Sequence, residues 1–226
     1  MTVERQVAIV AYQGVLADET LAFRAVLGRA PGAHLVTVGA RRGVVAGPGG
    51  AHVVDATYDD VRHATIVVVP GGLGSRRHYE IAAWILTVRP EWVLTSSTGS
   101  ALLAAAGLLR GRTAATHWLA GPLLERHGAT VSADRVVVDP PYVTCTGLLG
   151  TYEAAYHVID QVWGPGVVAR IRAELADGPL EEPADPPPVL SSVQSSVLSS
   201  DRTARTAARH PRRVVEVELE EHPPRG

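Results

Sequence analysis

Lysine is absent from the chain: all 21 of its basic residues are arginine. Imine chemistry needs a lysine amine, so Schiff-base catalysis and pyridoxal phosphate anchored that way are excluded. A single cysteine, Cys145, rules out an internal disulfide and a cysteine-based zinc cluster. No apolar run approaches the roughly 18 to 20 residues of a membrane span. The opening MTVERQVAIVAY has a short, strand-length apolar run instead of a basic segment, a long apolar stretch and a cleavage site, so it reads as a cytoplasmic protein with no membrane partner. An excess of positive charge is missing too. The 23 acidic residues outnumber the basic ones for a net charge of -2, which leaves no field to hold a phosphate backbone and argues against nucleic acid. What is present, 226 residues at 46% hydrophobic and 19% charged, suits one full-sized domain with an appendage.

Four β-branched runs end in small or turn-forming residues and predict buried strands: Gln6 to Tyr12, His34 to Ala40, Ala64 to Pro70 and Glu91 to Ser97. Segments of helical spacing separate or follow them at Glu19 to Gly28, His78 to Val88 and Ser100 to Leu109. Alternating strands and helices predict an α/β fold with a mainly parallel sheet covered on both faces. Ala129 to Cys145 reads as a hairpin leading into a last core strand, followed by helices at Gly150 to Trp163 and Gly166 to Leu175. From Asp177 the composition turns to proline, serine and then arginine, with little apolar area to offset chain entropy. The expected division is a domain over 1–188 and a tail over 189–226, flexible or packed on a partner. Its Val214 to Glu221 alternation is the one stretch able to form an exposed strand. The tail lacks two consecutive apolar-periodic helices and so carries no helix-turn-helix module.

The segment with most chemical content runs from Leu94 to Trp118, where an apolar strand meets Ser97-Thr98-Gly99 and then a helix of small and aliphatic residues. A strand-to-helix turn of this kind lifts one side chain above the carboxyl edge of the sheet, facing the amides of the new helix. Helix capping by Ser96, Ser97 or Thr98 explains the same residues without chemistry. Glu19 opens the first helix, either as a carboxyl presented to the elbow or as a first-turn acid complementing the helix dipole beside an Asp18 cap. Arg76, Arg77 and His78 follow the glycine turn and either grip a polar substrate or form a solvated loop.

Ser97-Thr98-Gly99, Ala106-Gly107-Leu108-Leu109, Gly111-Arg112 and Thr116-His117-Trp118 resemble, in order and spacing, the signature of the ThiJ/PfpI superfamily. The resemblance extends to Tyr12-Gln13-Gly14 before Glu19, Val69-Pro70-Gly71-Gly72, Val143 to Gly147 with Gly150 and Glu153, and the prolines from Pro183 to Pro188, as in isonitrile hydratases. It implies a flavodoxin-like three-layer sandwich of the class I glutamine amidotransferase type, a homodimer, and no metal or organic cofactor. It assigns Glu19 the acid/base role and Ser97 the position of the family's nucleophilic cysteine at the nucleophile elbow. It places Gly71, Gly72, Thr98 and Gly99 at the substrate, with the Gly72 and Thr98 amides stabilising negative charge, and Arg76 joins these substrate-binding candidates from its loop position alone.

An alcohol is harder to activate than a thiol of pKa near 8.5 and needs an aligned base. His117 is the candidate, against the alternative of a half-buried histidine satisfied by backbone. Cys145 reads as a small core residue or, alternatively, a displaced nucleophile. Two functions follow. One is a lyase-type enzyme, a hydratase acting on an isonitrile or carbonyl carbon of a small molecule. The other is an inactive ligand-binding or interaction protein that has lost the family cysteine.

Overall fold

The computed structural model describes residues 3–177; the expected boundary near Pro188 and the Val214 to Glu221 stretch lie outside the described residues. The chain runs β1 (Arg5–Val10), α1 (Ala17–Leu27), β2 (Ala33–Gly39), β3 (Gly43–Gly47), β4 (Gly50–Val54), β5 (Ala56–Thr57) and β6 (Ile66–Val69). A 3-10 turn at Ser75–Arg77 leads to α2 (Tyr79–Val88), β7 (Trp92–Ser96), α3 (Gly99–Ala105) and β8 (Thr113–Ala114). A second 3-10 turn at Trp118–Ala120 precedes α4 (Gly121–Arg126), β9 (Thr130–Val131), β10 (Val136–Asp139), β11 (Tyr142–Cys145), α5 (Leu148–Trp163) and α6 (Pro165–Asp177).

Seven strands form the central sheet in the order β10-β11-β7-β6-β1-β2-β5. Every pairing in it is parallel except β10 with β11. Because side chains alternate along a strand, β1 sends Val7 and Ile9 into a core shared with Phe23, Val26 and Leu27 of α1 and Ala154, Val158 and Ile159 of α5. Its Ala8 and Val10 enter a second core with Ile81 and Ile85 of α2, Leu102 of α3 and Leu124 of α4. The continuous apolar runs are what a sheet covered on both faces requires. The three-layer α/β sandwich is therefore as expected.

Two local departures have physical causes. The helix expected to reach Leu109 stops at Ala105, because Gly107 takes φ 78° and closes a Schellman cap: Leu108 N–H donates to the Leu103 carbonyl and Gly107 N–H to that of Ala104. The antiparallel hairpin of β3 and β4 had no strand expectation. Its exposed, glycine-rich arms hide the alternation, although Pro48-Gly49 supplies a turn of the kind that joins two strands, with Gly49 at φ 86°. Among the described residues no helix is long and apolar enough to cross a membrane.

Candidate active site

Three loops meet at the carboxyl edge of the sheet, after β1, β6 and β7. The loop after β1 is tied to the glycine turn after β6 by Leu16 N–H to the Gly71 carbonyl (2.9 Å), Leu73 N–H to the Gly14 carbonyl (2.8 Å) and a Val15 to Gly72 bridge. The buried Tyr12 hydroxyl adds a bond to the Pro70 carbonyl at 2.8 Å. These ties set the start of α1 and hence the position of Glu19. Helix α1 begins at Ala17 with no side-chain cap on Leu16, and Asp18 accepts from the Glu19 N–H, so Asp18 does not cap the helix. Glu19 is 3% exposed. A residue serving only the helix dipole would face water, and this one faces the elbow.

The Glu19 carboxyl is held through one oxygen. Oε2 accepts the Ser96 hydroxyl at 2.6 Å and the Gly71 N–H at 2.9 Å. Burial is the main cause that pushes its pKa above the usual carboxylate range, and Asp18 adds to it. The two hydrogen bonds and His117 oppose that rise. The site crowds around Gly71, where a Cβ would lie 2.7 Å from Ser97 Cβ, 2.9 Å from Glu19 Oε2 and 3.1 Å from the Ser96 carbonyl. Only glycine lets the turn, the carboxyl and the elbow converge.

Ser97 occupies the left-handed region at φ 50°, which costs a non-glycine residue roughly 1 to 2 kcal/mol. The surroundings over-determine it. Its N–H donates to the Cys145 carbonyl (2.9 Å), and its carbonyl accepts from the Thr116 hydroxyl (2.9 Å), the Ser100 hydroxyl (3.2 Å) and the His117 N–H (3.3 Å). Strain held this tightly is typical of functional turns. The backbone is thus a sharp strand-to-helix turn, as read from the sequence. The Ser97 hydroxyl itself makes no hydrogen bond among the described residues.

His117 does not supply the missing base. Its Nδ1 accepts the Leu119 N–H at 3.3 Å, capping the second 3-10 turn. With Nδ1 accepting, the neutral ring carries its proton on Nε2 and can only donate from there. The Ser97 and His117 pairing is therefore corrected to a contact through the Ser97 carbonyl, and the histidine satisfied by backbone is the reading that holds.

The glycine turn differs from expectation as well. The Gly72 N–H donates to Thr98 Oγ1 at 2.9 Å, and that hydroxyl donates back to the Gly72 carbonyl at 3.0 Å. The Gly71 N–H is engaged by Glu19. Both turn amides are committed inside the protein, which leaves the Thr98 N–H as the one elbow amide of the expected pair with no acceptor among the described residues. Gly99 brings α3 against β6, since a Cβ there would lie 2.3 Å from the Val69 carbonyl.

A cavity of about 220 Å³ adjoins the elbow, lined by Gly72, Leu73, Thr98, Ala101, Leu119 and Leu123 among others. Arg76 falls in the Ser75–Arg77 turn, and its side chain lies outside the described residues. Arg77 is exposed, while His78 pairs with Glu80 at 3.0 Å and stacks against Tyr12 with ring centroids 4.8 Å apart.

Cys145 ends the neighbouring strand, fully buried, its Sγ 3.9 Å from both the Gly147 carbonyl and Thr151 Oγ1. Burial pushes its thiol up to about 12, which makes it a core residue and not a displaced nucleophile. Sequence reasoning took Ser96 only as a cap candidate and missed its bond to Glu19. The signal was the serine pair itself, since adjacent strand residues face opposite ways and one of the two had to face α1. Among the described residues no group of three or more histidine, cysteine, aspartate or glutamate side chains is placed to hold a metal ion.

A model of the DJ-1/PfpI family matches residues 5–161. The chain is 30% identical over 128 residues to an isonitrile hydratase of Pseudomonas putida, a match covering 54% of this chain and 56% of that protein. The chain thus spans little more than half the length of this curated relative. Among solved structures, a ThiJ/PfpI family protein from Pseudomonas syringae has a TM-score of 0.73 at 23% identity, covering 88% of this chain and 85% of that one. Drosophila melanogaster DJ-1beta has a TM-score of 0.69 at 20% identity, covering 77% of this chain and 98% of that one. At these identities the structural likeness carries the fold.

Proposed function

We propose that this chain, which belongs to the DJ-1/PfpI family, is an acid/base enzyme that hydrates a small uncharged electrophile of the isonitrile type, with Glu19 as the proton carrier. One observation carries the reading: a buried carboxyl, biased toward its neutral form, sits at the elbow with its ionised form still provided for by Ser96 and Gly71. A group that must give up a proton and take it back needs both states to be tolerable.

The committed amides favour the isonitrile carbon over the carbonyl carbon. Addition to a carbonyl builds negative charge on its oxygen and calls for several free donors there. An isonitrile carbon is protonated first, so the negative charge develops on the acid that gives up the proton. Here one donor of the turn points at that acid, the Gly71 N–H on Glu19 Oε2, beside the Ser96 hydroxyl. In the proposed step, neutral Glu19 protonates the terminal carbon of R–N≡C to give a nitrilium ion. Water, oriented by the Ser97 hydroxyl, adds to that carbon. The carboxylate then recovers a proton from the added water, and the product tautomerises to the formamide R–NH–CHO. The net change is addition of one water, with the Glu19 proton restored. The small cavity beside Thr98, with Leu73, Ala101, Leu119 and Leu123 in its lining, suits a short aliphatic R group.

A second reading, a ligand-binding protein without turnover, is favoured by one observation: the Ser97 hydroxyl has no base, because His117 is oriented as a donor. Paired substitutions tested against a panel of short-chain isonitriles, with formamide release as the readout, separate the two. Glu19→Gln removes the transferable proton and is expected to cost on the order of 100-fold or more in turnover while binding survives. Ser97→Ala is expected to retain measurable turnover if the hydroxyl only orients water. Wild-type-like turnover in Glu19→Gln rejects the mechanism, and absence of turnover in the parent with intact binding supports the second reading.

A further inference from the structure

We infer that Ser96, the residue before the elbow, is a positioning residue that places the Glu19 proton on Oε1, so that the reacting carbon meets the carboxyl on the side that Gly147 faces. The inference rests on the reading of Glu19 as proton carrier and specifies which of its oxygens acts and from which side.

Ser96 closes β7 fully buried, in register with Cys145 of β11. Its hydroxyl has one hydrogen-bond acceptor among the described residues, Glu19 Oε2 at 2.6 Å, and the Gly71 N–H reaches the same oxygen at 2.9 Å. Two donors occupy the two lone pairs of Oε2. The reverse arrangement, with a proton on Oε2 donated to Ser96, would leave the Gly71 N–H bonded to the hydroxyl oxygen of a carboxylic acid, a poorer acceptor than its carbonyl oxygen, in a place where water cannot substitute. The proton therefore belongs on Oε1. That oxygen accepts no hydrogen bond from the described residues, and the one glycine whose missing Cβ would face it is Gly147, at 3.9 Å.

Gly147 is fully extended (φ 165°), a conformation open to any residue, and its added methyl would meet no other atom within 4 Å. Its lack of a side chain is required neither by the backbone nor by packing. What the glycine provides is space in front of Oε1. The charged and titratable groups around Glu19 are Asp18 on its own helix, His117 from the second 3-10 turn, Cys145 on β11 and Tyr12 from the loop after β1. Neither Asp18 nor His117 makes a hydrogen bond to Ser96 or to Gly147 among the described residues, so substitutions at those two positions report on the proposed arrangement.

The experiment reads the Glu19 carboxyl in the resting, full-length protein by infrared difference against Glu19→Gln, which isolates its C=O band and its titration without any substrate. Ser96→Ala is expected to move the titration midpoint upward, because a donor that favours the ionised form is lost, and to shift the C=O band. Ser96→Thr is expected to restore both. If Ser96→Ala does not fold, Ser96→Cys, a weak donor of nearly the same size, is expected to shift the midpoint the same way by less. A folded Ser96→Ala or Ser96→Cys with the parental band and midpoint overturns the assignment.

Gly147→Ala tests the side of approach. It is expected to leave the thermal midpoint unchanged while lowering formamide release on the order of 10-fold or more, as displacement of a reacting atom does. Unchanged turnover with Gly147→Ala overturns the approach beside Gly147. Because the infrared titration needs no substrate, its outcome stands apart from whether isonitriles are turned over.

Discussion

The ends of β7 and β11 lie side by side in register, Ser96 against Cys145, yet they hold opposite kinds of chemistry. At the end of β11 stands the chain's one thiol, its nucleophilicity cancelled by a dry surrounding that keeps it protonated. At the end of β7 the Ser96 hydroxyl holds a buried carboxyl, and the backbone then turns through the strained Ser97, whose Cβ and that carboxyl converge on Gly71. The more reactive element sits where it is buried and protonated, and the less reactive one occupies the strained turn. Reactivity in this fold is therefore a property of position on the sheet edge, set by the turn at residue 97 and by burial at residue 145.

The sharpest way to break that comparison is to exchange the roles. In the native protein Cys145 is expected to resist iodoacetamide at pH 8, since a thiol held near pKa 12 has on the order of 1,000-fold less thiolate than an ordinary one. It should label only after unfolding. The thiol introduced by Ser97→Cys is expected to label in the folded state. Mass spectrometry of alkylated tryptic peptides reads both sites at once, and native labelling of Cys145 at the ordinary rate would end the contrast.

A smaller effect tests what holds the β7 side together. Gly71→Ala drives a methyl into Ser97 Cβ, Glu19 Oε2 and the Ser96 carbonyl simultaneously. Backbone and a buried carboxyl cannot both yield, and the expected loss is about 1 to 3 kcal/mol in urea unfolding, the usual cost of overpacking. A neutral outcome would mean that the three groups are not closely joined.

The smallest effect is a pH dependence. The folded chain binds the Glu19 proton more tightly than the unfolded chain, because the folded pKa is raised. Stability from this group is full below the unfolded value near 4.3 and is lost as pH rises through the folded pKa. Glutamine does not titrate, so the thermal midpoint of Glu19→Gln is expected to gain on the parent as pH rises across that window and to hold its gain above it. A constant offset from pH 4 to 8 would contradict the assignment of a raised pKa.

The two strand ends also mark where the sequence could and could not be read. Long apolar runs bounded by small residues made β1, β2, β6 and β7 legible, because both faces of this sheet are buried and every position had to be apolar. Ser97 was legible as the elbow through its place before Thr98-Gly99, and Glu19 through its place after the loop that follows β1. Which serine bonds Glu19 was not legible, since the answer depends on the strand's facing relative to α1, a tertiary fact. The His117 orientation was hidden for a related reason: a backbone N–H two residues further on decides which ring nitrogen is free. The Gly72 amide looked available until the Thr98 hydroxyl was seen to close on it.

The elbow's geometry is carried by main-chain atoms: the Ser97 N–H and carbonyl make four hydrogen bonds, and none involves the side chain's own oxygen. The fold is accordingly indifferent to whether oxygen or sulfur is mounted there. Most serine codons lie one nucleotide from a cysteine codon, so from any of those a lineage carrying this scaffold exchanges an alcohol for a thiol at this turn in one mutational step without passing through an unfolded ancestor.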